Sequence, residues 1–389
     1  MKIGRKSISN VGGILWLVLI TLSTIAFQSC KKDKDDIEDE DLDQVWGGSE
    51  RPFPIYTIDD ATYIVKEDGT LWARGRIFST SPGVNEAGYI QLESNVKKIA
   101  NAHNAERLYV LRKDNSVWRS PVLPSDEKPE FVNQKATEKV ADNVKDVVEG
   151  QYFAALLKYD GTVWALGKNS NGQFGLGTAS DQELPLTQIA SGVKQIAVGF
   201  NTIYLLKNDN SLWSAGDDNY GKLGYPTDGD QRTFGKVMED VRIVRANGNN
   251  VMVIKKDRSA WSFGTNANGT QGIGVSPSGS IEPIYPHRIA DQVKEVFPMG
   301  YTCFFLKENG TLWASGTNNY GQMGMATPDR SLIFIQIAEN VTYMSAHNYN
   351  RHIVILQNDK YMMTGRNAFK EIQQSAIQKF TTFTEFEMP

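Results

Sequence analysis

An aromatic residue returns along this chain at near-constant intervals. It stands at Trp72, Trp118, Trp164, Trp213, Trp261, Trp313 and Tyr361, with spacings of 46, 46, 49, 48, 52 and 48 residues. A period of this length marks a repeat architecture and constrains the fold before any local reading does. The fullest copies are Val144–Gly177, Val193–Gly224 and Val293–Gly324. Each opens on a Val-Lys-x-Ile type alternation of period two, which predicts a strand. A second apolar strand follows, such as Ala154–Lys158 or Thr302–Lys307. Then come Asp68-Gly69, Asp114-Asn115, Asp160-Gly161, Asp209-Asn210 and Asn309-Gly310. These predict two-residue hairpin turns with positive φ at both central residues. Asp257-Arg258 and Asp359-Lys360 fit such a turn less well. A third strand carries the Trp and ends at Gly75, Gly167, Gly216, Gly264, Gly316 or Gly365. Four units add an Asn-x-x-Gly-x-x-Gly loop or a near variant, beginning at Asn169, Asp218, Asn266 and Asn318.

A unit of three or four antiparallel strands cannot bury both faces alone, and radial repetition solves this while leaving only short edges. The expectation is an all-β, seven-bladed β-propeller of about 46–52-residue repeats, closed by chain-end strands. Pro52–Ile58 matches the opening strand of unit 1 poorly, whereas Ile377–Phe380 has its flavour. The C-terminal segment is therefore expected to supply the missing strand of blade 1. The phrases VKQIAVG and LLKNDNSLWSAGDDNYGKLG, within Val193–Gly224, resemble the repeat of the regulator of chromosome condensation family. The resemblance runs from about Ala61 to Gly365 and implies a seven-bladed propeller. Function does not follow from it, because propellers host unrelated sites. The resemblance also implies a His at the start of each second strand, where Phe153, Thr202, Asn250 and Thr302 stand here.

The first 29 residues read as a lipoprotein signal peptide. Lys2, Arg5 and Lys6 precede the apolar run Val11–Phe27, and Ser29-Cys30 follows it. The basic start and small residue favour a secretory signal over a spanning helix, with Cys30 as the lipidation site. Lys31–Asp43 holds eight acids, three bases and two apolar residues. Such a run cannot bury enough surface to order itself and reads as a tether over residues 30–45. Residues 46–389 form the propeller. Removing Lys2, Arg5 and Lys6 from a net charge of −4 leaves −7. An acidic domain argues against nucleic acid, which requires a basic face. The expected location is the outer membrane, lipid-anchored and facing the cell exterior, with the anchor as the membrane contact.

Catalytic signatures are weak. Gly172–Gly177 is glycine-rich, but no helix follows and no Lys-Ser or Lys-Thr ends it, so a turn is expected. His103, His287, His347 and His352 show no zinc-ligand spacing. No Ser-His-Asp set is assignable, and no metal or cofactor is expected. Cys303, between Thr302 and Phe304, reads as a buried inert thiol.

Strand alternation places the loop after the opening strand and the loop after the Trp strand on one face, and the Asp-Gly turns on the other. Eight residues after each opening Val stand Tyr152, Asn201, Asn249, Tyr301 and Tyr349. Phe200, His347 and Arg351 lie beside them, and Tyr220 and Tyr320 come from the second loops. Rigid aromatics with amides on a loop face resemble a recognition surface; Tyr as spacer and Asn as turn residue is the competing reading. The favoured function is a non-enzymatic cell-surface binding propeller for a protein or glycan. A glycan-active enzyme is the alternative; it needs clustered acids or a metal set. Guanine-nucleotide exchange or chromatin binding, known in eukaryotic members of the resembled family, ranks last for an acidic secreted chain.

Overall fold

The structure is a computed structural model. It describes residues 55–58, 61–75, 88–100, 108–120, 136–275, 284–327, 329–346, 352–367, 377 and 379–386. The expected signal peptide, Cys30 and acidic tether lie outside these residues, as do His103, His347, Tyr349 and Arg351. Residues 52–389 form one compact unit.

Seven four-stranded antiparallel sheets stand in a ring, each built from one contiguous stretch of chain. The all-β seven-bladed propeller is the observed fold. In blade 3 the strands are Val144–Glu149, Phe153–Lys158, Val163–Asn169 and Ser180–Ala190. In blade 4 they are Val193–Gly199, Thr202–Lys207, Leu212–Gly216 and Gln231–Met238. The fourth strand, after the glycine loop, is the one that repeat reading left unnamed. First strands of successive blades lie against one another, which puts them innermost. Their burial is high, as in Val193–Gly199, while the outer Ser180–Ala190 holds no buried residue.

Each core lies between two blades. Val147, Ala154 and Leu156 of blade 3 pack with Tyr109 and Leu111 of blade 2. Phe153, Ala155 and Leu157 pack on the other side with Ile196, Ile203 and Leu205 of blade 4. Adjacent strand residues thus serve opposite neighbours, as the pleat requires. That is why second strands such as FAALLK and TIYLLK are apolar throughout.

The hairpin turns differ from expectation. In six blades the loop has three residues, and positive φ occurs at its last one alone: Gly69, Asn115, Gly161, Asn210, Arg258 or Gly310. This is a turn followed by a left-handed residue, the usual three-residue hairpin. The two-residue turn with both φ positive occurs in blade 7, at Asn358 and Asp359 between paired Gln357 and Lys360. The repeated Asp has another task. Asp160 Oδ1 accepts from the Thr162 N–H (2.9 Å) and hydroxyl (2.6 Å), and the Thr162 oxygen accepts from Trp164 Nε1 at 3.0 Å. The same relay recurs at Trp72, Trp118, Trp213, Trp261 and Trp313. In the six Trp blades a cation at the end of the second strand covers the indole, as Lys207 does over Trp213 at 4.1 Å.

The chain ends do not share a blade. Lys379–Glu385 pairs with Lys360–Arg366 as the outer strand of blade 7, and Ile55–Ile58 pairs with Ala61–Val65 as the inner strand of blade 1. This corrects the expected placement of Ile377–Phe380 in blade 1. Ile55 pairs with Ile64 as Ile196 pairs with Leu205, so the poorly matching N-terminal segment does hold the opening-strand register. The ring closes where these ends meet. Ile55, Ile64, Val354, Met363, Phe380 and Phe386 form one core. The Ser345 hydroxyl donates to the Ile55 carbonyl, and the Ile55 N–H to the Tyr343 hydroxyl at 3.4 Å. Thr62 Oγ1 meets His352 Nε2 at 3.0 Å.

His352 is fully buried, and burial, with Arg366 nearby, pushes its imidazole down to about 3. A folded-state value below the unfolded one means that the native state binds fewer protons. Its contribution is complete above about pH 6.5 and is lost as pH falls from there toward 3. Stability should therefore fall by up to about 1.4 kcal/mol per pH unit from this group across that window. His352→Gln should be less stable at pH 7 but show a shallower decline to pH 4, measured by urea unfolding. Parallel declines in the two proteins would contradict this assignment.

Candidate functional site

The loop face is built on a backbone contact repeated in four blades. The third strand carries at or near its end a glycine whose successor donates its N–H to the carbonyl eight residues after the opening Val. The pairs are Lys168 to Tyr152 (2.9 Å), Asp217 to Asn201 (3.0 Å), Thr265 to Asn249 (2.9 Å) and Thr317 to Tyr301 (2.8 Å). The glycine is needed for space and torsion. At Gly216 (φ 119°) a Cβ would lie 2.1 Å from the Asn201 carbonyl oxygen, and at Gly316 (φ 108°) 2.3 Å from that of Tyr301. One anchor thus presents Tyr, Asn, Asn and Tyr in blades 3 to 6. Tyr152 is 43% and Tyr301 51% exposed, while Asn201 and Asn249 are half-buried. Lys168 Nζ lies 4.9 Å from the Tyr152 ring centroid. Phe200 is half-buried, and its N–H bonds the Gly248 carbonyl of blade 5 at 2.9 Å, so its backbone helps join two blades.

The second layer of the face is the Asn-x-x-Gly-x-x-Gly loop. Its Asn is buried and closes the loop from inside. Asn318 Oδ1 accepts from the Met323 N–H, and its Nδ2 donates to the Met325 carbonyl, both at 2.8 Å. Asn169 and Asn266 do the same. Asn367 of blade 7 keeps the second bond, to the Ile377 carbonyl, without the glycines that advertise the loop. Gly172–Gly177 lies in such a loop and continues into no helix. The loops of blades 4 and 6 expose Tyr220 and Tyr320, each at 37%.

Blade 4 departs from this pattern in three ways. Asp218 replaces the Asn; lacking a donor, it takes the Thr227 hydroxyl instead, and burial raises its carboxyl. Tyr220 has φ +70°, where blade 5 has Asn268 at +62°. A bulky residue in the left-handed region is strained, whereas Asn tolerates it. Lys222 is 1% exposed and bonds Asp217 Oδ2 and, at 3.0 Å, Asn249 Oδ1 of blade 5. Burial lowers the Lys222 ammonium and Asp217 opposes that shift. This ion pair fixes the Asn249 amide from beneath. Repeat reading missed it because neither residue breaks the spacing; the signal was a Lys where blades 3 and 6 have Gln173 and Gln322.

The face holds Tyr152, Asn201, Tyr220, Asn249, Tyr301 and Tyr320; His347, Tyr349 and Arg351 lie outside the described residues. Among the described residues no three His, Cys, Asp or Glu side chains gather as a metal site. Cys303 is buried, which pushes its thiol up to about 12 and leaves it inert.

Comparison with known proteins gives the following. A family model described as the Regulator of chromosome condensation (RCC1) repeat matches residues 160–203. No curated protein matches the chain. Among solved structures, Prp20p from Saccharomyces cerevisiae is similar with TM-score 0.61 and 15% identity, over 76% of this chain and 80% of that one. Yeast RCC1 (Prp20) bound to Kap60 gives TM-score 0.63 and 16% identity, over 75% and 77%. Human WBSCR16 gives 0.62 and 17%, over 80% and 90%. At these identities the likeness shows the fold alone.

The buried pair supplies a test of the site's construction. Removing one member of a buried ion pair typically costs about 3–5 kcal/mol, because the other charge is left unpaired. Lys222→Gln alone should cost that much in urea unfolding. Adding Asp217→Thr reproduces the Gln322 and Thr317 pairing of blade 6 and should restore most of the loss. Additive costs in the double variant would contradict the pairing.

Proposed function

We propose that this chain is a binding propeller of the RCC1-repeat type, without enzymatic activity. It is anchored at the outer membrane through Cys30 and presents its loop face to a protein partner outside the cell. The observation that carries the reading is the shared backbone anchor that holds Tyr152, Asn201, Asn249 and Tyr301 in equivalent positions with unlike side chains. A spacer role calls for one residue type; a lopsided set of exposed aromatics and amides suits recognition of an irregular surface. The ion pair under Asn249 and the strain at Tyr220 concentrate specialised features in blades 4 and 5, and both side chains belong to that face. Prp20p is described with binding properties to Gsp1p and histones, and yeast RCC1 in complex with Kap60. These are protein partners of similar rings and support a protein over a glycan.

The anchor reading rests on the basic start, the apolar run and Ser29-Cys30. Two acyl chains at ~0.8 kcal/mol per CH₂ hold a protein stably on a bilayer. Partner capture from intact cells, followed by fractionation, tests both halves. Tyr152→Ala with Tyr301→Ala should lower recovery of the partner by roughly thirtyfold, the effect of losing ~2 kcal/mol of hot-spot energy. Its melting curve should stay unchanged. Cys30→Ala should leave the membrane fraction or remain an uncleaved precursor. Undiminished recovery by the Tyr variant would overturn the face, and normal processing with membrane retention of the Cys30 variant would overturn the anchor.

A further inference from the structure

Each blade ends in an outer strand whose far edge has no neighbour in its sheet. Such an edge presents a row of unpaired backbone N–H and C=O groups, and proteins blunt it by keeping it short or by setting proline or charge along it. Six blades do so. The outer strands of blades 1 and 2, Ile90–Glu93 and Glu138–Ala141, have four residues each. Ser180–Ala190 of blade 3 carries Asp181, Glu183 and Pro185. Gln231–Met238 of blade 4 carries Arg232 and Lys236, and Ile284–Ala290 of blade 5 carries Pro286 and Arg288. Lys379–Glu385 of blade 7 leaves five residues, three of them Thr, between its two charged ends.

Arg330–Ala338 of blade 6 is the exception. From Ser331 to Ala338 the strand reads SLIFIQIA, eight residues without charge, Pro or Gly. Ile333 is 54% exposed, and Ile335 and Ile337 are half-buried. A segment of this composition on an open edge is a template for another strand. The glycine loop of blade 5 meets it at its start, where the Gly274 N–H donates to the Leu332 carbonyl at 2.8 Å and Ile273 bridges Ile333. Beyond that point, Phe334–Ala338 has no outer neighbour among the described residues. The charges that flank the stretch indicate what fits there. Arg330 pairs with Thr317 and Gln336 with Trp313, four residues apart on the third strand, so both side chains stand on one face. Gln336 Nε2 donates to Glu339 Oε1 at 2.8 Å, which brings Glu339 to the same face. Arg330 and Glu339 are exposed, and neither forms an ion pair among the described residues.

We propose that the outer strand of blade 6 pairs edge to edge with its own equivalent in a second copy of this chain. A two-fold axis normal to the sheet runs the second strand antiparallel and keeps the two faces of each strand in place. It carries Arg330 of each copy to Glu339 of the other, so one opposite-charge pair closes each end of the uncharged stretch. Parallel pairing in register would instead set Arg330 against Arg330 and Glu339 against Glu339. The occupant is thus a strand with the composition and the end charges of this one. The edge runs along the outside of the ring, and the pairing is independent of the loop face.

Sedimentation velocity of the full chain over a concentration series should show a reversible monomer–dimer equilibrium. Arg330→Glu sets like charges opposite each other at both ends and should weaken the dimer about tenfold. Adding Glu339→Arg reverses the polarity of the strand and should restore the dimer to within about threefold of the original. Ile333→Lys places a charge on the edge at an exposed position and should also weaken it about tenfold. Melting curves of the monomers should stay nearly unchanged, as for other exposed substitutions. Amide hydrogens of Phe334–Ala338 should exchange more slowly at high protein concentration than at low, and those of the blade 3 outer strand should not. A monomer up to about 1 mM, a dimer indifferent to both Arg330→Glu and Ile333→Lys, or a charge reversal that fails to restore pairing would each overturn the proposal. So would a monomeric chain whose blade 6 edge takes an unrelated extended peptide.

Discussion

The ring depends on a hydrogen bond between blades. The first Val of each strand series donates its backbone N–H to the left-handed residue of the preceding blade's turn. Val96, Val144, Val193, Val241, Val293 and Val341 do so at 2.8–3.1 Å. That residue can offer its carbonyl because the turn is held open by the Asp, Ser or Thr, and Trp relay beside it. The relay is local and costs no long-range ordering, so it forms wherever the five-residue phrase occurs. Propagation from blade to blade then follows from the shared register, much as in other repeat proteins whose units contact only their neighbours. Closure is made differently: Ile55, which holds the register of Ile196 and not that of the opening Val, bonds Tyr343 and Ser345.

This division of labour explains the two faces. On the turn face the Asp or Asn, the Ser or Thr and the Trp recur because their side chains bond within each turn, while the residue whose carbonyl meets the next blade is Gly, Asn or Arg. The turn position needs a side-chain oxygen to accept from the Ser or Thr N–H and hydroxyl, and Asn309 of blade 6 supplies it as the Asp does elsewhere. On the loop face, the repeated bonds are backbone to backbone and are secured by glycine, so side chains at Tyr152, Asn201, Asn249 and Tyr301 are released from scaffold duty. Variation accumulates where the backbone alone carries the structure. A recognition surface of this kind can change without disturbing the cores, which lie between blades and below the loops.

The fold was legible in the sequence because its period is written in Trp, Gly and Asp, residues that local geometry demands. What was not legible depended on partners far away in sequence. The Asp-Gly pairs were read as two-residue turns, because Asp and Gly suit that turn; the following Thr or Ser, which captures the Asp, lengthens the loop by one. The C-terminal strand was misplaced because Ile377–Phe380 copies an inner-strand pattern, while the register of Ile55 shows only when paired with Ile64. At the candidate site, Tyr152, Tyr220, Tyr301 and Tyr320 were found by counting from the repeat. Lys222 and Asp217 were not, since a buried ion pair on one strand end and loop looks like two ordinary surface charges.

Native-state hydrogen exchange tests the central claim that the inter-blade bonds make the ring one cooperative unit. Amides of Val144, Val193, Val241 and Val293 should exchange only by global unfolding, with urea dependence equal to that of the whole domain. Amides of the loop face, such as those of Asn201 and Tyr301, should exchange by local opening with little urea dependence. If the Val amides instead exchange blade by blade, at free energies well below global unfolding, the turn-to-strand bonds are not what holds the propeller together.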